Sequence, residues 1–162
     1  MAYSLAGLRF KEKPVLDSIS SSLHFVGPLI FALSLTGFDE SNLPYVAAFF
    51  LWGVASHAYG AVQDVIPDRQ GGLSSIATFF GSRTTIWIAL VCYLLAVLIV
   101  AMQGTVTYAV ALAGLAYVAN CLPYLNITDK ESLKVNSGWR RFIWLNYAVG
   151  AVVTITLIAA NF

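Results

Sequence analysis

Asp64 and Asp68 form the only Asp-x-x-x-Asp pair in the 162-residue chain. They lie within residues 53–81, GVASHAYGAVQDVIPDRQGGLSSIATFFG, where an apolar run gives way to a polar one. Gly53, His57, Gly60 and Asp64 recur at intervals of 4, 3 and 4, which on a helix is one face running down to the first carboxylate. Pro67 has no N–H and disfavours helical geometry at Ile66, so the sequence predicts a helix ending there with Asp64 in its last turn. An acid at that end meets the negative pole of the helix dipole, a conflict that a bound cation would relieve. Two carboxylates beside Arg69 suit Mg2+ and a phosphorylated ligand, because Mg2+ takes one or two carboxylates and shares its ligand's phosphate oxygens. A solvated loop with two ordinary acids fits the same spacing, and spacing alone leaves both readings open.

Other polar side chains fall inside apolar runs. His57 lies on the Asp64 face about two turns deeper, either lining a pocket or bonding a neighbouring helix. His24 reads as structural. Asn120 and Asn146 suit hydrogen bonds between helices, with Asn146 a second pocket candidate. Gly53, Ser56 and Gly60 read equally well as a close-packing face or as a cavity wall. Tyr59, Trp144 and Tyr147 occur near span ends, where aromatic residues anchor a chain at the membrane interface. Cys92 and Cys121 sit in apolar runs and read as packing residues rather than a disulfide or metal pair.

The elements that must position these groups are membrane spans. The chain is 59% hydrophobic and 10% charged, which excludes an ordinary soluble domain. A net charge of +1 leaves no electrostatic footprint for nucleic acid, and no such partner is expected. Runs of the length a bilayer requires occur at roughly 18–37, 43–62, 85–102, 105–125 and 142–160. Before them, residues 1–17 are basic and amphipathic, with Arg9, Lys11 and Lys13. Residues 73–80 are too short to span and are expected to form a small helix over the membrane face. A polar loop is expected over 126–141. All nine Lys and Arg residues fall in the N-terminal segment, the Asp loop or the last loop. The positive-inside rule makes that side cytoplasmic and puts the C-terminus outside.

Two stretches together resemble the UbiA family of membrane prenyltransferases. AYSLAGLRFKEKPVLDS is similar to that family's Tyr-Ser…Arg-x-Lys…Pro segment, and YGAVQDVIPDRQGGLSSIATFFG resembles its second aspartate-rich motif with the capping helix that follows. Within the family, LDSISSSLHFV and DVIPDRQ look most like the bacterial lycopene elongases. The resemblance implies an all-α, integral membrane bundle in the cytoplasmic membrane. It also implies Mg2+ held by Asp64 and Asp68, with a prenyl diphosphate met by Tyr3, Arg9, Lys11 and Arg69. Tyr59 matches a tyrosine of the site, where an aromatic face stabilises an allylic cation. The implied acceptor is a hydrophobic molecule such as lycopene.

The family fold has nine transmembrane helices, and five are expected here. The first motif, of Asn-Asp-x-x-Asp type, belongs to the other half of that fold. Ser56 occupies a position that is aspartate in some members. The chain therefore reads as the C-terminal half of such an enzyme, inactive without a complementing N-terminal half. A non-catalytic membrane subunit or remnant, binding a partner half or an isoprenoid, is the competing reading.

Overall fold

The computed structural model describes residues 13–161, and no strand occurs among them. Tyr3, Arg9 and Lys11 lie outside the described residues. Seven α-helices follow one another: α1 (Leu16–Thr36), α2 (Leu43–Ala61), α3 (Val65–Gln70), α4 (Ile76–Phe80), α5 (Ser82–Ala101), α6 (Tyr108–Cys121) and α7 (Val135–Asn161). Including their flanking 3₁₀ turns, α1, α2, α5, α6 and α7 are each long and apolar enough to cross a membrane. This is an integral membrane helical bundle, with spans close to the expected runs.

α2 is the hub, packing against α1, α5 and α7, while α5–α6 and α6–α7 complete the circuit. Ala48, Gly53, Ala55, Ala58 and Gly60 on α2 are small and let neighbouring backbones approach. In lipid, where apolar burial between helices gains little, such close packing and interhelical hydrogen bonds hold the bundle together. A side chain at Gly53 would run into Ser22 of α1, whose hydroxyl donates to the Phe50 carbonyl at 2.7 Å. Ser56 meets the Tyr93 hydroxyl of α5 at 3.0 Å. The polar residues expected to join helices do so: Asn120 donates to the Gly138 carbonyl at 3.0 Å, and the Tyr117 hydroxyl donates to Asn146 at 2.8 Å.

Two segments differ from expectation. Pro67 does not end a helix. α2 stops at Ala61, a 3₁₀ turn spans Val62–Asp64, and Pro67 falls in the first turn of α3. There its missing N–H costs nothing, because first-turn N–H groups have no partner within the helix. Asp64 is thus the N-cap residue of α3 and Asp68 lies in its first turn, the end where the helix dipole favours acids. The conflict expected at Asp64 does not arise. The second difference is at α7, which begins at Val135, inside the expected polar loop. Asn136, Ser137, Arg140 and Arg141 mark where the helix leaves the apolar layer, not where it ends. The small helix expected over 73–80 is present as α4, started by a reciprocal capping box between Ser75 and Thr78.

Candidate active site

The Asp loop, α4 and the segment before α7 gather at one end of the bundle. Asp129 organises them. It accepts from the Ser82 N–H at 2.7 Å, capping the start of α5, and from Arg69 at 2.6 Å. Arg69 also donates to the Thr78 carbonyl at 3.1 Å. Asn136 donates to Gln63 at 2.7 Å, tying α7 to the 3₁₀ turn.

Inside this frame lies a cleft of about 420 Å³, lined by residues of α1, the end of α2, the turn into α3, the loop before α4 and the start of α7. Asp17 comes from the first turn of α1, and His57 and Gly60 from the end of α2. Asp64 and Asp68 come from the α3 turn, Ser74 and Ser75 from the loop before α4, and Trp139 from the start of α7. The face formed by His57, Gly60 and Asp64 is the one the spacing predicts. Gly60 is required where it stands: a Cβ there would meet the Trp139 ring at 2.8 Å. Trp139 in turn stacks on Phe142, with ring centroids 4.8 Å apart and 13° between planes.

His57 does both things proposed for it. Its Nε2 lies 2.7 Å from an Asp17 carboxylate oxygen on α1, and its ring still lines the cleft. Asp17 is buried, although the sequence reading left every acid outside the spans. Its place in the first turn of α1 and its histidine partner allow that burial.

Asp64 and Asp68 lie beyond the last residue of α2's apolar helix. Burial first, and then the charge of Asp68, push the Asp64 carboxyl above its ordinary value. Burial raises Asp68 too, with the Ser75 hydroxyl opposing and the charge of Asp17 adding. Asp64 makes no side-chain capping bond to its own helix, and no lysine or arginine among the described residues lines the cleft. An anionic cleft with an uncommitted carboxylate suits a cation bound partly by its ligand. It is not an all-protein metal cage, since no three His, Cys, Asp or Glu groups gather for one among the described residues.

Three expected site residues are elsewhere. Tyr59 is fully buried in the core, its hydroxyl donating to the Asn120 carbonyl at 3.3 Å and its ring edge-on to Tyr124. It does not line the cleft, because the α2 face that carries it turns toward α6 and α7. Arg69 is held by Asp129 and Thr78 and does not line the cleft, so it braces the loop. Asn146 is engaged with Tyr117 well along α7. Trp144 and Tyr147 are 74% and 71% exposed, as interface anchors would be. Asp17 and Trp139 were not identified from sequence. An acid directly before the first span was the available sign of one, and the α7 boundary hid the other.

Comparison with known proteins places these features in a family. Residues 1–146 match the UbiA prenyltransferase family. A lycopene elongase/hydratase of Corynebacterium glutamicum is 46% identical over 163 residues, covering 99% of this chain and 57% of that protein. The C(50) beta-cyclic carotenoids biosynthesis protein LbtBC of Dietzia sp. is 43% identical over 157 residues, 95% of this chain and 36% of that protein. A lycopene elongase/hydratase of Haloarcula japonica is 36% identical over 94 residues, 58% of this chain and 32% of that protein. The chain thus spans 57% or less of these relatives' lengths. No solved structure matches.

Proposed function

The chain belongs to the UbiA prenyltransferase family, and we propose that it is the C-terminal part of an enzyme that transfers a prenyl group from an allylic diphosphate to lycopene. The observation that carries this reading is the cleft in which Asp64 and Asp68 converge with Trp139 at one end of the bundle. The names of the relatives, at 46% and 43% identity, support the acceptor and a place in C50 carotenoid synthesis.

In this reading Asp64 and Asp68 hold Mg2+, which supplies positive charge against the leaving diphosphate when bound. Burial and neighbouring acids disfavour their charged forms, a cost that a bound cation would offset. Arg9, Lys11 and Tyr3 complete the diphosphate contacts that the family resemblance implies. Trp139, packed on Gly60, presents an aromatic face where the allylic carbon gains positive charge. The apolar bundle behind the cleft keeps water from that carbon. The membrane is the cytoplasmic one, with the cleft on its cytoplasmic side and the C-terminus outside, as the Lys/Arg asymmetry implies. The portion of the relatives that the chain does not cover corresponds to the complementing half, to which the family resemblance assigns the other aspartate-rich motif.

The test is carotenoid extraction from lycopene-producing cells. The cells carry this chain, the portion of the Corynebacterium relative that it does not cover, or both. C50 product is expected only with both. Product from the chain alone would sink the incomplete-site reading, and none from the pair would sink the assignment to lycopene.

A further inference from the structure

The transfer chemistry has a proton left over, and neither Asp64 nor Asp68 is suited to take it while bound to a cation. We propose that His57, oriented by Asp17, is the base that receives this proton. The inference rests on the prenyl-transfer reading above.

The geometry is that of a base with its orienting acid. His57 Nε2 is 2.7 Å from Asp17 Oδ2, and the side chains are 24% and 7% exposed. A buried carboxylate accepting from Nε2–H fixes the neutral tautomer whose free lone pair is on Nδ1. Nδ1 makes no hydrogen bond among the described residues, and the ring lines the cleft. The contrast with His24, whose Nδ1 is bonded to the Ser20 carbonyl at 2.7 Å, is direct: that ring is tied to its own helix. His57 also stands about two helical turns deeper than Asp64, on the same face, where an acceptor's chain would lie beyond the diphosphate.

The step balances as follows. The allylic C–O bond breaks and its electron pair leaves with the diphosphate. The π electrons of an acceptor double bond form the new C–C bond, leaving a carbocation on the acceptor. A neighbouring C–H bond then supplies its electron pair to a new double bond, and its proton passes to His57 Nδ1. Alternatively, a water oxygen gives a lone pair to the cation and the proton of that water passes to His57. Asp17 stabilises the imidazolium in both cases. The two endings are an added prenyl unit with a new alkene and an added prenyl unit with a hydroxyl. They correspond to the two activities in the relatives' name, elongase and hydratase, and one base serves both.

The experiment uses this chain co-expressed with the uncovered portion of the Corynebacterium relative, in membranes, with a C5 allylic diphosphate and lycopene. His57→Ala is expected to lower alkene and alcohol products together by about 10²–10⁴-fold, the usual worth of a general base. Added imidazole is expected to restore product to His57→Ala and not to Asp64→Asn. Asp17→Asn is expected to give an intermediate loss with a shifted pH–rate profile. Binding of a non-reactive diphosphate analogue with Mg2+ should be unchanged in His57→Ala, which separates a lost base from a lost fold. Product at the wild-type rate from His57→Ala would overturn the proposal. So would a loss that imidazole does not relieve, since the proton would then go to the diphosphate itself. An inactive wild-type pair would overturn the assignment to lycopene and, with it, this proposal.

Discussion

At the scale of single residues, the cleft is arranged around charges that oppose one another. Asp64 and Asp68 are raised by burial and by neighbouring acids, so the folded protein favours their neutral forms. A carboxyl raised by folding weakens the fold at pH values above its folded value. Asp64→Asn and Asp68→Asn are therefore expected to melt at or above the wild-type temperature without Mg2+, and to lose the stabilisation that Mg2+ confers on the wild type. In the complemented enzyme each should lower transfer by about 10²-fold or more, as removal of a principal electrostatic group does. A melting temperature that falls in both variants, with transfer within a few-fold of wild type, would make the pair a solvated loop. Tyr59 supplies the contrast. Its hydroxyl bond to Asn120 is long and in the core, away from the cleft. Tyr59→Phe should cost about 0.5–1.5 kcal/mol of stability and leave transfer within a few-fold, as measured by unfolding in detergent and by turnover.

At the scale of elements, α3 and α4 are too short to be stable alone and depend on what clamps them. Asp129 does this from the segment before α7, joining Arg69 of α3 to the start of α5. The ion pair itself is half exposed and is worth about 0–1 kcal/mol. The bond to the Ser82 N–H adds a helix cap, worth about 0.5–2 kcal/mol. Asp129→Ala, which removes both the cap and the ion pair, should therefore destabilise more than Arg69→Gln. Burial opposes charge on Asp129, but the Ser82 bonds and Arg69 outweigh it and hold the carboxyl below its ordinary value of 3.8. Such a group stabilises the fold above its unfolded value, and the contribution is lost as pH falls through its folded value. The melting difference between wild type and Asp129→Asn should hold above about pH 4 and shrink below it. A difference independent of pH would mean that the carboxylate's charge contributes nothing.

At the scale of the whole molecule, burial is uneven. The α2 span buries 44% of its most apolar window, whereas α1 and α7 each bury 11%. The outer helices leave broad apolar faces uncovered, with Phe31 and Leu35 on α1 and Ile155 and Leu157 on α7 exposed. The ends of the bundle differ as much as its flanks. One carries the cleft and the basic residues, and the other carries short uncharged or acidic turns around Asp39 and Gly104. In the proposed orientation Asp39→Cys should label from outside the cell and Asp68→Cys only from inside. The reverse pattern would invert the topology and put the cleft on the wrong side for a cytoplasmic diphosphate.

The spans, their common charged end, the Asp64–Asp68 pair and the His57–Gly60–Asp64 face were determined by sequence alone. Each has a local cause: about 20 apolar residues cross a bilayer, and helical spacing puts fixed intervals on one face. Family membership was also legible, because the Asp loop and the basic segment are contiguous stretches. What the tertiary structure decided involves residues far apart in the chain. Asp17 meets His57 across 40 positions and Arg69 meets Asp129 across 60. Which partner claims a charge depends on how helices rotate against each other, and local periodicity does not specify that rotation. Arg69 adjoins the acids in sequence, which suggests a role at the ligand; in the fold Asp129 holds it and it does not line the cleft. Tyr59 matched a motif, yet the packing of α6 and α7 around it made it core. Trp139 reached the cleft only because α7 continues as a helix past the membrane surface. Its polar neighbours report where water begins and are silent on where the helix does.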